Sequence, residues 1–534
     1  MRLKEALKAL KERIFEESSI LLPLLAVALF ALYIVSAYCG LRLGESGQAG
    51  STDGIFAFFS AIGPYAGLFL TLYAVFAAVV IFFENKNPDR TIAWMLILLF
   101  LPVVGFVLYF LFGPNLNKRA AFRELKHKKS AIMERWAEDE LRALESMAAS
   151  VFPWKTVISL LKTSMAPLTF RNALEVLTNG DATFPAIKSS LSEAERFIHM
   201  EYFSIANDGI GNEIRGILER KAKEGLRVRL IYDSVGSWNI GKDYIESLKS
   251  AGVEVYPFAP ISLPMLRRKL NHRNHRKIIV IDGKVGFMGG LNIGDKYLSR
   301  DRRFGFWRDT HLKIEGEAVH KLQDVFLSDW RFCSGQDLDE PDLFPQMGGP
   351  SLWTPVQIVN SGPDLDLSPV MIGYFSLIAS ATERIWITTP YLVPGESIKT
   401  ALKVASLSGL DVRIIVPGLA DHIFVFWASQ ANIDDLLAAG VRIFSYNNGF
   451  IHSKVVIVDG KAASVGTTNL DLRSFEINFE IQAFIYNKEV ASRLEQDFMD
   501  DLTQCREFTL EERARKPFVQ KTKEAVGRLW TAQV

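Results

Sequence analysis

Asn274-His275-Arg276-Lys277-Ile278-Ile279-Val280-Ile281-Asp282 decides how this chain is read, because its arrangement returns at His452-Ser453-Lys454-Val455-Val456-Ile457-Val458-Asp459. Each copy runs His, one residue, Lys, four apolar residues, Asp. Each is followed at the same offset by a turn of small residues ending in Asn: Gly289-Gly290-Leu291-Asn292 in the first and Gly466-Thr467-Thr468-Asn469 in the second. Side chains of an extended strand alternate between faces, so His275 and Lys277 point the same way, as do His452 and Lys454. The apolar run after each lysine suits a buried central strand. Two imidazoles and two ammonium groups brought together make a site for a phosphodiester.

The repetition extends beyond the motif. Glu195-Arg196-Phe197-Ile198 before Tyr202 resembles Glu383-Arg384-Ile385-Trp386 before Tyr391. Gly225-Leu226-Arg227-Val228-Arg229-Leu230-Ile231 matches Gly409-Leu410-Asp411-Val412-Arg413-Ile414-Ile415, and Ala251-Gly252-Val253-Glu254-Val255-Tyr256 matches Ala439-Gly440-Val441-Arg442-Ile443-Phe444. Matched landmarks in one order mean two similarly folded halves. Within each, short β-branched runs alternate with helical stretches such as 211–224 and 396–407, the pattern of a sheet covered by helices. One half supplies only one His and one Lys. The halves are therefore expected to pack face to face, with the site on their pseudo-two-fold interface.

The candidate catalytic groups are the two motif sets, His275, Lys277 and Asp282 with His452, Lys454 and Asp459. One imidazole attacks phosphorus to form a phosphohistidine; the other protonates the leaving alkoxide and later activates the incoming hydroxyl. Lys277 and Lys454 neutralise the nonbridging oxygens, and the amides of Asn292 and Asn469 add hydrogen bonds. No metal or other cofactor is required, since the lysines supply the positive charge. Asp282 and Asp459 end buried strands just before a turn, which reads as a structural duty. Each histidine also needs an acceptor on its second nitrogen to fix its tautomer. His272, three residues before His275, is not read as a metal ligand because no third ligand accompanies it. His127, His199, His311, His320 and His422 read as surface or packing histidines, with His199 and His311 near enough to the landmarks to line a pocket.

At 534 residues the chain is too long for one core, so two or three domains are expected. Its 61 basic and 60 acidic residues nearly cancel, against a globally basic nucleic-acid binder. Cys39, Cys333 and Cys505 show neither zinc spacing nor a disulfide framework. Charge is nearly absent from 18 to 117, and the stretches 18–41, 54–83 and 91–117 are uncharged. Each reaches the roughly 20 apolar residues a bilayer core needs. A cleaved signal peptide competes for the first, given the five basic residues before it, but its apolar run is too long and further apolar stretches follow. Basic residues flank both the amino terminus and 118–129, and positive charge favours the cytoplasmic side. One stretch is therefore expected not to cross, and 91–117, interrupted by Pro102 and Gly105, is the candidate. Leu3, Leu7, Leu10 and Ile14 recur at helical spacing, either as a helix on the membrane surface or as an ordinary solvated one.

The paired His-x-Lys-x4-Asp motifs with their trailing Asn turns strongly resemble the phospholipase D superfamily over most of 165–505. That resemblance implies an α/β fold: two tandem phospholipase D-like domains, mixed β-sheets flanked by helices about a pseudo-two-fold, here preceded by a helical transmembrane module. The expected organisation is a membrane module (1–117), a helical connector (118–164), domain 1 (165–345) and domain 2 (346–534). In that family the histidine's acceptor is a downstream carboxylate, matching Glu480 in the second half and Asp309 in the first. One histidine is the nucleophile and the other the acid; the sequence does not assign them, and His275 is favoured as nucleophile. Glu84-Asn85-Lys86-Asn87-Pro88, Leu101-Pro102-Val103-Val104-Gly105-Phe106, Gly290-Leu291-Asn292-Ile293-Gly294-Asp295, Trp307-Arg308-Asp309-Thr310-His311 and Asn469-Leu470-Asp471-Leu472-Arg473-Ser474 further resemble bacterial cardiolipin synthases. This implies transfer of a phosphatidyl group between two phosphatidylglycerol molecules, with phosphatidylglycerol and an anionic bilayer as partners, no nucleic acid, and a multi-pass place in a bacterial cell membrane with the catalytic domains cytoplasmic. A hydrolytic phospholipase D and a membrane-tethered nuclease are the rivals. The basic stretch Arg267-Arg268-Lys269 with Arg273 and Arg276 suits nucleic-acid phosphates or anionic head groups equally.

Overall fold

The computed structural model describes residues 91–92, 94–97, 153–260, 272–338, 340–346, 353–365 and 367–530. The chain divides into two compact units, 1–117 with 262–268, and 118–261 with 269–534. In the first, residues 91–92 and 94–97 are helical. Among the described residues no helix is long and apolar enough to cross a membrane. The stretches 18–41 and 54–83, nearly all of 91–117, the segment 3–14 with its helical spacing, Cys39, His127 and Arg267-Arg268-Lys269 lie outside the described residues. So does the connector, except for the helix Trp154–Ser164.

The second unit holds two mixed sheets built to one plan. The first has seven strands in the order Asn172–Thr178, Thr310–Gly316, Val285–Gly289, Lys277–Ile281, Phe197–Tyr202, Arg227–Asp233, Glu254–Phe258. The second has eight; Val356–Ser361, Glu480–Ile485, Ala462–Gly466, Val455–Val458, Arg384–Thr388, Asp411–Pro417 and Arg442–Tyr446 follow in the same spatial order, and Cys505–Glu507 adds an edge. In each sheet three neighbours are parallel, for example Phe197–Tyr202 beside Arg227–Asp233, while the His-Lys strand pairs antiparallel on both sides. The parallel strands are joined through helices such as Gly209–Lys223, which Asp208 caps from its side chain and which buries Ile210, Ile214, Ile217 and Leu218.

Strand alternation assigns each motif strand two jobs. Ile278 and Val280, with Val455 and Ile457, belong to one apolar cluster that draws on both sheets, including Phe197, Leu312, Ile358 and Ile481. Ile279 and Ile281 face instead the cluster under the first half's helices, and Val456 and Val458 the cluster under the second half's. The sheets thus pack on each other through alternate residues of the very strands that carry the motif. Truncating one of these isoleucines to alanine costs about 2–5 kcal/mol, so the packing fixes the motif strands firmly.

Candidate active site

The motif histidines sit where each half reaches across to the other. Just before the first motif strand, Phe479 N donates to Arg273 O (2.9 Å) and His275 N donates to Phe479 O (2.9 Å). The second half repeats this: Phe450 N donates to Phe306 O (2.8 Å) and His452 N to Arg308 O (2.7 Å). Each crossing sets one half's histidine beside the residue that precedes the other half's carboxylate. Consequently His275 Nδ1 meets both oxygens of Glu480 at 3.0 and 2.9 Å, across 205 residues, and His452 Nδ1 meets Asp309 Oδ2 at 2.9 Å. The carboxylates are exchanged between the halves. A carboxylate can only accept, so each Nδ1 carries the hydrogen and each Nε2 keeps its lone pair.

The lysines fold back beside their own histidines. Lys277 Nζ donates to His275 O (2.6 Å) and lies 5.4 Å from the centre of the Phe203 ring, whose edge meets His275. Lys454 Nζ donates to His452 O (2.5 Å) and lies 2.9 Å from His452 Nδ1. Asn292 is engaged locally: its Oδ1 accepts from Ser204 N (3.1 Å) and its Nδ2 donates to the Tyr297 hydroxyl (3.1 Å). Asn469 is buried with its Oδ1 unpartnered.

The motif aspartates, counted among the candidate catalytic groups, stand apart from the imidazoles at the other end of their strands. Asp282 accepts from the backbone N–H groups of Glu195, Arg196 and Phe197 at 2.8–2.9 Å. Asp459 does the same for Thr382, Glu383 and Arg384. Both adopt positive φ, 54° and 55°, which aspartate tolerates better than most residues. They tie the end of the motif strand to the start of the neighbouring strand.

A family model described as "Cardiolipin synthase, PLD-like domain" matches residues 187–330 and 374–502. A second, "Phospholipase_D-nuclease N-terminal", matches 72–114. The "Cardiolipin synthase" of Geobacillus kaustophilus is 43% identical over 471 residues, covering 88% of this chain and 94% of that protein. The chain belongs to the cardiolipin synthase family of phospholipase D-like proteins. The "Major cardiolipin synthase ClsA" of Bacillus subtilis is 41% identical, covering 86% of this chain and 97% of that one. A solved phosphatidylserine synthase from Haemophilus influenzae superposes with a TM-score of 0.52 at 13% identity, covering 71% of this chain and 98% of that one, a likeness of fold.

Charge in this cardiolipin synthase family site is set by burial. Burial lowers the His275 pKa to about 4, Glu480 pulling it back up and Lys277 pushing it further down. His452 falls to about 4 by burial and Lys454, against Asp309. Burial also lowers Lys277 to about 7 and Lys454 to about 8, the two carboxylates opposing it. Burial alone would raise Glu480 and Asp309, but the facing histidines and lysines outweigh it and hold both below the ordinary carboxylate range. The resting site therefore has two neutral imidazoles and two ionised carboxylates.

Several supporting groups carry no local sequence signal. Thr467 Oγ1 donates to Glu480 Oε2 (2.6 Å) and Asn478 Nδ2 to Glu480 Oε1 (3.2 Å). On the opposite face of the strand segment holding His275, Arg276 pairs with Asp329 and donates to Glu480 O, while Asn274 binds Glu201. Arg276 was legible only as part of a basic approach; it is buried and braces the first histidine against the second half. Among the other histidines, His272 Nδ1 donates to Ile477 O (3.0 Å), His199 packs between Gln323 and Arg229, His320 meets Pro345 O, and His422 is exposed. His311 is fully buried behind Gly289. No cluster of His, Cys, Asp and Glu suited to a metal occurs among the described residues.

Proposed function

We propose that this protein is a cardiolipin synthase that moves a phosphatidyl group from one phosphatidylglycerol to the terminal hydroxyl of another through a phosphohistidine. The observation that carries the reading is the crossed pair, His275 with Glu480 and His452 with Asp309, in a chain 43% identical to a cardiolipin synthase over 88% of its length. In the first displacement one Nε2 attacks phosphorus, a P–N bond forms, and the bond to glycerol breaks as the other imidazolium gives glycerol its proton. In the second, the acceptor hydroxyl gives its proton to that now neutral imidazole and attacks phosphorus. The P–N bond breaks and cardiolipin leaves. The phosphodiester's own negative charge, arriving between the lysines and imidazoles, favours their charged forms and so supplies both the acid and the protonated lysines.

Lipid rather than nucleic acid is supported by the rim of the site. Corresponding loops follow the strands Arg227–Asp233 and Asp411–Pro417. The first exposes Trp238; the second, leading into the helix Ile423–Leu437, exposes Leu419, Ile423 and Phe424. Asp233 accepts from Asn274 N beside His275, and Asp421 lies in the electrostatic surroundings of His452, so both loops flank the catalytic groups. Exposed large apolar side chains on both lips suit a bilayer surface. The uncharged stretches before residue 118 are read as the membrane module that keeps the catalytic unit there.

The test is product analysis with head-group- and acyl-labelled phosphatidylglycerol in mixed micelles. Cardiolipin and free glycerol in equal amounts are expected. Phosphatidic acid as the dominant product would replace this reading with a hydrolytic phospholipase D, and cleaved oligonucleotide beside unchanged lipid with a nuclease.

A further inference from the structure

The two ends of the site share their catalytic groups but differ in what flanks them. Counting from the histidines, Arg273 stands where the second half has Phe450. Counting from the crossed carboxylates, Asn478 stands where the first half has Trp307. Counting from the Asn turns, Arg473 stands where the first half has Lys296. Around His452 the flank is aromatic: Trp307 lies 5.0 Å from Phe450 and 5.3 Å from His452, Phe304 closes on both aromatic rings at 5.4 Å, and Lys296 caps the Trp307 ring at 5.5 Å. Around His275 one ring, Phe203 at 5.1 Å, remains, and these three positions are polar and cationic.

On the cationic flank several buried polar atoms lack a protein partner. Arg273 is 4% exposed; its Nε donates to His272 O (3.0 Å), and its Nη1 has only long contacts, 3.4 Å each, to Asp233 Oδ1 and Ser234 Oγ. Its Nη2 has no partner, and neither do Asn478 Oδ1 and Ser474 Oγ of the second half. The backbone N–H groups of Ile477 and Asn478 both donate to Arg473 O (2.9 Å), which folds the turn after Leu472–Glu476 back beside them. Arg473 shares this electrostatic neighbourhood: burial lowers its pKa, Asp471 opposes that, and Arg273 adds to it. Buried polar groups are almost always paired in native structures, and a guanidinium fork is shaped for a phosphate.

We propose that Arg273 and Arg473 form a second anion subsite, which holds the acceptor lipid's own phosphodiester while its terminal hydroxyl reaches the phosphohistidine. The proposal rests on the transfer reaction above. In that reaction the acceptor, unlike water, carries a second phosphate one glycerol bridge from its attacking oxygen. Arg273 and His275 are alternate residues of the segment that leads into the strand Lys277–Ile281, and alternate residues of an extended chain share a face and stand about 6.6 Å apart, a span of the same order as a glycerol bridge between two phosphates. The subsite thereby favours lipid over water as the acceptor.

Arg273→Gln, Arg273→Lys and Arg473→Gln in the full-length protein test this through the partition of the intermediate. Glycerol released, cardiolipin formed and phosphatidic acid formed are measured together, with thermal unfolding alongside. In Arg273→Gln the cardiolipin made per glycerol released should fall about tenfold, phosphatidic acid making up the difference, with Arg273→Lys intermediate and Arg473→Gln shifted the same way. If all three lose glycerol release and cardiolipin in proportion, the ratio staying at the wild-type value, the arginines are structural and the subsite is overturned. Wild-type protein that released glycerol without making cardiolipin would instead overturn the transfer reading itself.

Discussion

Position 290 in the first half and position 467 in the second occupy the same place, directly after the strands Val285–Gly289 and Ala462–Gly466, yet they support the carboxylates in opposite ways. Thr467 donates its hydroxyl to Glu480 at 2.6 Å. Gly290 makes room: a Cβ there would stand 2.0 Å from Asp309 Oδ1. The longer glutamate reaches His275 with a hydroxyl and an amide holding it. The shorter aspartate reaches His452 only because its turn lacks a side chain, and Thr310 N (2.8 Å) and Trp307 Nε1 (3.4 Å) complete its contacts. Chemical symmetry at the imidazoles is thus achieved by unlike construction. One half can be perturbed by deletion and the other by addition.

The largest effects are expected at the crossed pairs themselves. His275→Ala and His452→Ala should each abolish turnover, with or without added divalent metal, whereas Cys333→Ala should not; kcat with labelled phosphatidylglycerol decides. Glu480→Gln and Asp309→Asn keep the shapes but replace an ionised acceptor, so each should cost about 10²–10⁴-fold in kcat, as loss of the orienting acid does in catalytic triads. The crossing makes a sharper demand. Imidazole nitrogen resonances of His452 should shift in Asp309→Asn while those of His275 hold, and the reverse in Glu480→Gln. The opposite pattern would mean that each half pairs with its own carboxylate.

Gly290→Thr transplants the second half's solution into the first. Threonine there has no space, so Asp309 must move and His452 loses its orientation; a displacement of about 1 Å costs on the order of 10²-fold in kcat. Thr467→Gly removes one charge-assisted hydrogen bond without adding bulk, and a loss of about tenfold is expected. If the two substitutions cost the same, room and support are not the distinction between the halves.

Much of this site was legible before the fold. The motif histidines and lysines and the repeat follow from spacing, because spacing is what a strand face and a turn impose, whereas the two acceptor carboxylates follow only from the resemblance to the phospholipase D superfamily. The exchange of the carboxylates was not legible. It arises from backbone pairing of 273–275 with 479 and of 450–452 with 306–308, contacts between segments far apart in sequence that no local pattern encodes. Arg276 illustrates the same limit: its position in a basic run suggests a surface approach, and only the burial of Asp329 and Glu201 behind it shows a brace. Thr467 sits in plain view within the Asn turn, but nothing about a small polar residue there distinguishes a ligand of Glu480 from a turn former. The charge-free runs before residue 118 are read as membrane stretches from composition alone, and they lie almost wholly outside the described residues.

The halves should also titrate apart. Lys277, lowered to about 7, loses its charge before Lys454, lowered to about 8. A deprotonated lysine no longer neutralises phosphate, so kcat/KM should fall as pH rises through about 7 and fall more steeply beyond about 8, approaching tenfold per unit for each group. Lys277→Arg, which stays charged, should remove the first bend and keep the second. On the acid side burial lowers both histidines in the folded protein to about 4 from the ordinary 6.5. The unfolded chain binds more protons between those values, so this contribution to stability is present above about 6.5 and lost as pH falls toward 4. The fall in melting temperature over that window should shrink in His275→Ala.

The smallest effects belong to the rim, where the two halves differ again: one exposed indole, Trp238, against a run of Leu419, Ile423 and Phe424. All four side chains are exposed at the rim, so their loss should leave turnover of a soluble short-chain phosphatidylglycerol nearly unchanged. On anionic vesicles each side chain contributes through the apolar area it buries, on the order of 1.5–3 kcal/mol when burial is complete and less for partial insertion. Trp238→Ser and Phe424→Ser should therefore each weaken vesicle binding of the full-length protein by only a few-fold. The rim's contribution should appear instead in orientation, as a rise in the apparent KM for long-chain lipid that is absent with the short-chain substrate. Equal effects on both substrates would place these residues in the folding of their loops, and the lipid-facing role of the two lips would fall.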